Sequence, residues 1–173
     1  MEDLTKQFHA LLFGVRRSIR YHNRRTRFFD RLHTVSTFIS ALAGTATVAS
    51  ALGEVGRIWI ISAALVVTVF SVLDLVVGSA RLARLHSDLA RRYFELEKAM
   101  NEVALPTEQD MIRLTNERLD IEKDEPPPLK NLDSICHNEL LRAMGYDRSK
   151  EVKIEWYQRL FANFLDIREH TVH

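Results

Sequence analysis

Few residues in this chain are placed to do chemistry. Asp74 is the single carboxylate inside an otherwise charge-free run, Ile58 to Ala80. Cys136-His137-Asn138-Glu139 sets a thiol, an imidazole and a carboxylate side by side. His86 and Tyr93 stand two helical turns apart, and Arg16, Arg17, Arg20, Arg24, Arg25, Arg27 and Arg31 crowd one short stretch. A Cys/His pair suits nucleophilic or metal chemistry. Helix neighbours, however, point about 100° apart, and no CxxC or HxxxH spacing brings a second ligand. The pair is therefore read as a buried thiol beside a capping or linker-binding imidazole. Gly44 and Gly53 form no phosphate-cradling loop. The expectation is no enzyme, no metal and no cofactor.

The elements that must position these residues come from two apolar runs. Leu32 to Leu52 carries no formal charge, with His33 counted neutral, and Ile58 to Ala80 carries only Asp74. At 1.5 Å rise per residue each makes a helix of roughly 30 Å, about the hydrocarbon thickness of a bilayer. Gly53 to Arg57 is just long enough to turn one helix back beside the other. The predicted architecture is all-α. Residues 1–31 form an amphipathic cytoplasmic helix, 32–80 a two-span hairpin (32–52 and 58–80, loop 53–57 outside), and 81–173 a cytoplasmic helical domain. A cleaved signal peptide does not fit a run that starts this late and meets a second span at once. A soluble bundle would keep a polar face on its core helix, yet Ile58 to Leu73 offers only Ser62, Thr68 and Ser71.

Basic residues set the expected orientation. They gather before Leu32 and again at Arg81, Arg84, Arg91, Arg92 and Lys98, whereas the loop has one Arg and one Glu. Both termini are thus expected in the cytoplasm of a multi-pass inner-membrane protein. Arg24, Arg25, Arg27 and Arg31 are assigned to lipid headgroups, with an anionic nucleotide as the other partner their guanidinium groups suit. The net charge of +1 argues against direct nucleic-acid binding, and the lone Cys136 rules out an internal disulfide.

Along the chain, Leu4, Phe8, Leu11, Leu12, Val15 and Ile19 recur at helical spacing, as do Leu82, Leu85, Leu89, Tyr93, Leu96, Met100 and Val103. The second stripe predicts one continuous helix from Ile58 to Val103, with Leu85, Leu89, Tyr93 and Leu96 as an oligomer or lever seam. Thr107 and Asp110 form a capping box for a helix over 108–124. Pro126-Pro127-Pro128 forces an extended linker. Further helices are expected over 129–144, closed by Gly145, and over 151–168.

The order of these features resembles the SLATT family. RYHNRRTRFFDRLHTVSTFISALAG leads into the hairpin, SARLARLHSDLARRYFELEKAM follows it, and IEKDEPPPLKNLDSICHNELLRAMG completes the pattern. The likeness spans nearly the whole chain. It implies a homo-oligomeric, pore-forming or membrane-disrupting effector of a bacterial anti-phage or conflict system. Its trigger would be an operon-encoded sensor, a nucleotidyltransferase or a reverse transcriptase system.

For such a pore, two faces of the spans matter. His33, Ser36, Ser40 and Thr47 share one side of the first span, either as close-packing small residues or as a water-lining face. Asp74 belongs against protein or water; beside it, Ser71, Phe70 and Val67 are the candidate lining and gate, where an acidic ring favours cations and apolar side chains close the path by dewetting. The competing reading is a scaffold whose hairpin is only an anchor for recruiting a cytoplasmic partner.

Overall fold

A computed structural model describes residues 2–51 and 56–166, the side chains of 44–51 excepted. Every long element is helical: α1 (Glu2–Ala51), α2 (Arg57–Val77), α3 (Ser79–Asn101), α4 (Glu108–Glu122), α5 (Lys130–Ala143) and the short α6 (Trp156–Phe161), with a 3-10 turn at Arg148–Lys150. No strand occurs among the described residues. The chain is all-α. It divides into two compact units, Met1–Arg25 with His86–His173, and Thr26–Leu85.

The first unit packs helices around the apolar stripe of α1. Phe8, Leu11, Leu12, Val15 and Ile19 are buried, as are Leu89, Tyr93, Leu96 and Met100 of α3 and Leu114 and Ile121 of α4. A second cluster joins Tyr21 to Leu132, Ile135 and Cys136 of α5 and to Ala162, flanked by Leu129 and Ile154. Ion pairs rim this core: Arg16 to Glu97 at 2.6 Å and Arg17 to Asp133 at 3.2 Å. The stripe expected to be an oligomer or lever seam packs within the chain itself. Leu89, Tyr93 and Leu96 are at most 3% exposed because the chain's own α1 supplies the apolar stripe that covers them; Leu85 is half-buried. They are core side chains of one protomer.

The expected helix from Ile58 to Val103 is corrected. Gly78 takes the left-handed conformation (φ 64°, ψ 46°) and ends α2, its N–H donating to the Asp74 carbonyl. Only glycine enters that region at little steric cost. The helix restarts at once, the Leu82 N–H donating to the Gly78 carbonyl at 3.0 Å.

Local signals account for the later elements of the first unit. Thr107 and Asp110 form the reciprocal capping box that opens α4. α5 closes on Gly145 (φ 73°): the Tyr146 N–H donates to Leu141 O and the Gly145 N–H to Arg142 O, a Schellman motif. The last expected helix, 151–168, is much shorter. The Asn138 side chain donates to Val152 O at 2.7 Å and accepts from Val152 N–H at 2.9 Å. That pair holds residue 152 out of a helix, and among the described residues of this stretch helix forms over Trp156–Phe161. Asp166 then caps α5, accepting from the Lys130 and Asn131 N–H groups at 2.9 and 3.0 Å.

In the second unit the later part of α1 runs antiparallel to α2. Its inner face is narrow, and α2 has no buried residue.

Candidate functional site

The second unit contains a ladder of polar pairs. His33 Nδ1 lies 3.0 Å from Asp74 Oδ2. The Ser36 hydroxyl donates to the Phe70 carbonyl at 3.3 Å, and Ser40 and Ser71 share a hydroxyl contact at 2.9 Å. Six of the eight candidate pore residues thus meet one another across a single hairpin. Val67 borders a cleft of about 410 Å³ between Ile39, Leu42, Trp59 and Val66. Thr47 lies outside the described side chains. Ser36 is 4% exposed, so the small polar face of α1 turns toward α2. Hydroxyl pairs of this kind hold apolar helices together where no hydrophobic drive exists. Outside the ladder, Ser62 and Thr68 return their hydroxyls to the carbonyls of Ile58 and Ala64, four residues back.

The opposite faces are the reverse. Val35, Phe38, Leu42, Ile58, Trp59, Ile61, Leu65, Val66, Val69, Val72, Leu73, Leu75, Val76 and Val77 are all exposed large apolar side chains. Among the described residues one stretch, Arg57–Asn101, is long and apolar enough to cross a membrane, and none of its most apolar window is buried.

The first unit joins His86 and Tyr93, singled out in the sequence for their two-turn spacing, to two residues that spacing did not point to, His22 and Glu125. His22 and His86 face each other, Nδ1 to Nδ1, at 2.9 Å, and both are 1% exposed. His22 Nε2 lies 3.0 Å from Glu125 Oε1, and the Tyr93 ring stacks on His22 with centroids 5.7 Å apart. The carboxylate can only accept, so Nε2 of His22 carries a proton; in the neutral pair His22 Nδ1 then accepts from His86 Nδ1–H. Burial, followed by the charges of His22 and Arg25, lowers His86 to about 4. Burial alone would raise Glu125, but the His22 and Tyr93 hydrogen bonds hold its carboxyl below the usual range. Tyr93 is pushed well up by burial and by Glu125 beside it. The signal for this network is a phase match: His22 stands three residues after Ile19 and seven after Val15, and His86 three before Leu89, so both histidines sit within apolar stripes.

The remaining candidates separate. Cys136 is fully buried and burial pushes its thiol up to about 12, leaving it inert as a nucleophile. His137 packs its ring edge-on against Phe13 instead of joining Cys136. Of the four arginines assigned to headgroups, Arg24 pairs with Glu139, and Arg25 donates to the Asn163 carbonyl at 2.7 Å. Both are held by protein groups, whereas Arg27 and Arg31 are exposed. Among the described residues no three His, Cys, Asp or Glu converge as metal ligands. No family model, curated protein or solved structure matches the chain.

Proposed function

We propose that the chain is a two-span membrane protein whose hairpins associate into a homo-oligomer that permeabilises the bacterial inner membrane when a partner signal arrives. The exposed apolar exterior of Thr26–Leu85 carries this reading. Half the usual ~1.5–3 kcal/mol per large apolar side chain, taken over the fourteen side chains named above, is roughly 10–20 kcal/mol. That is comparable with the ~5–15 kcal/mol stability of a whole protein, which supports lipid or neighbouring copies against this surface. The excess of Arg and Lys on both flanks supports cytoplasmic termini. The order of features that resembles the SLATT family supports the effector role and a trigger supplied by a sensor, nucleotidyltransferase or reverse transcriptase partner. Two helices enclose no water path, so conduction needs several hairpins, with Asp74 near the inner mouth as the group that favours cations.

The scaffold reading draws on a different observation. His33, Ser36, Ser40, Ser71 and Asp74 already have partners within the hairpin, which is what a self-sufficient anchor needs. The two readings diverge in liposomes. Purified protein, shown by flotation to be inserted, is assayed for dye and ion leakage beside Asp74→Asn and Phe70→Ala, with and without its operon partner. A pore leaks with a cation preference that Asp74→Asn reduces and a basal leak that Phe70→Ala raises. Inserted protein that stays tight with its partner present would sink the pore and leave the scaffold.

A further inference from the structure

A groove of about 510 Å³ opens on the surface of the first unit, and all of its walls belong to that unit. α1 contributes Lys6, His9 and Phe13, α5 contributes His137, and the loop after α5 contributes Tyr146 and Lys150. Three rings meet in it. Phe13 has His137 edge-on at 5.3 Å and Tyr146 edge-on at 6.3 Å between centroids. Lys150 Nζ lies 5.7 Å from the centre of the Tyr146 ring, within reach of a cation–π contact. Among the described residues no carboxylate lines the groove.

The loop that carries Tyr146 and Lys150 is pinned along its length. Gly145, at φ 73°, turns the chain out of α5. Asp147 is spent on the Ser149 N–H at 3.0 Å, which starts the 3-10 turn. Glu151 pairs with Arg142, and Val152 is bonded both ways to Asn138. His137 hydrogen-bonds the Lys150 backbone, while burial and the charge of Arg17 hold its imidazole below the ordinary range. It therefore offers the groove a neutral ring. Tyr146 is ordered by these contacts yet 43% exposed, so ring and cation stand in place before any ligand arrives, which lowers the cost of binding.

We infer that this groove binds a nucleotide, its base against the Tyr146 and Phe13 rings and its phosphates against Lys6 and Lys150. Every base has a π face that an aromatic side chain can take, and lysine holds phosphate as a compact point charge. The volume falls within the roughly 300–1,000 Å³ of small-molecule sites. Lys6 now pairs with Glu2 at 2.8 Å, but both side chains are largely exposed, and a surface pair of that kind yields readily to a phosphate. The site is separate from the arginines considered above, of which Arg24 and Arg25 are held by Glu139 and Asn163. It uses the first unit alone and stands or falls independently of the membrane reading.

Full-length protein in detergent is dialysed to equilibrium against radiolabelled ATP, with inorganic phosphate and adenosine as competitors. Saturable micromolar binding is expected, weakening as salt rises because the lysine contacts are screened. Tyr146→Leu should weaken it roughly five- to a hundredfold, the range one base–ring stack is worth, and Tyr146→Phe should keep it. Lys150→Gln and Lys6→Gln, at exposed positions outside the core, should each weaken it and flatten its salt dependence. Absence of saturable binding overturns the inference. So does binding that survives all of Tyr146→Leu, Lys150→Gln and Lys6→Gln, since ATP would then sit elsewhere. Inorganic phosphate competing as well as unlabelled ATP would reduce the groove to an anion patch and overturn the nucleotide.

Discussion

His22 and His86 meet nitrogen to nitrogen in a buried site, and this pair makes the first unit sensitive to acid. His86 Nδ1 already donates to His22 Nδ1, so a further proton on His86 would go to Nε2 and place an imidazolium charge in a buried site beside His22 and Arg25. His86 titrates near 4 in the fold, against about 6.5 when unfolded. Between those values the unfolded chain binds a proton that the folded chain refuses. The stability from the neutral imidazole is therefore complete above about pH 6.5 and drains away as pH falls toward 4, by on the order of 3 kcal/mol. The groups facing the pair are Glu125 from the linker, Tyr93 from α3, and Tyr21 and Arg25 from α1, with Arg118 of α4 acting on Glu125. Thermal unfolding in detergent at pH 7.0 and 5.0 should show a clear drop for the wild type and a much smaller one for His86→Asn; equal drops would assign the effect elsewhere. Asp166 acts at the same scale. Asp166→Ala removes the acceptor for two N–H groups of α5 and should cost about 1–2 kcal/mol, with faster protease cleavage in 151–166 as the local readout.

The elements follow from rules that reach no further than a helical turn or two, and their joints are where glycine decides. Gly78 sits in a conformation that strains an L side chain by roughly 1–2 kcal/mol, although a Cβ there would meet only Arg81 Nε at 3.7 Å. The penalty is thus one of backbone and not of space. Gly78→Ala should lower the unfolding temperature more than Gly78→Asn, because asparagine tolerates this region better; equal shifts would point to packing. The stripe of α3 makes the opposite kind of statement. Leu89 is fully buried, so Leu89→Ala should destabilise the first unit by about 2–5 kcal/mol. Cross-linking between copies should be unchanged by it, since its contacts are within one protomer.

At the scale of the whole molecule, one unit buries an apolar core and the other turns most of its apolar side chains outward. Met1–Arg25 with His86–His173 carries its own core. Thr26–Leu85 presents a ladder of polar pairs inside and apolar side chains outside. On the proposed two-span reading, replacing both spans by a polyleucine hairpin should leave the protein in the membrane fraction and abolish leakage in a pore, while a scaffold would keep partner recruitment. Sequence by itself determined the helices, the capping box at Thr107, the stop at Gly145 and the apolar runs, because capping and periodicity operate between residues three or four apart. It also carried the apolar stripes of α1 and α3 but not what covers them. Partners 31 to 138 residues distant were decided by tertiary packing alone: Ser40 with Ser71, His33 with Asp74, His22 with His86, Arg25 with Asn163. The same holds for the end of the chain, where helical periodicity over 151–168 gave way to the hydrogen bonds Asn138 makes with Val152. A side chain's type fixes what it is able to bond, and only the packed chain fixes which group arrives within 3 Å of it.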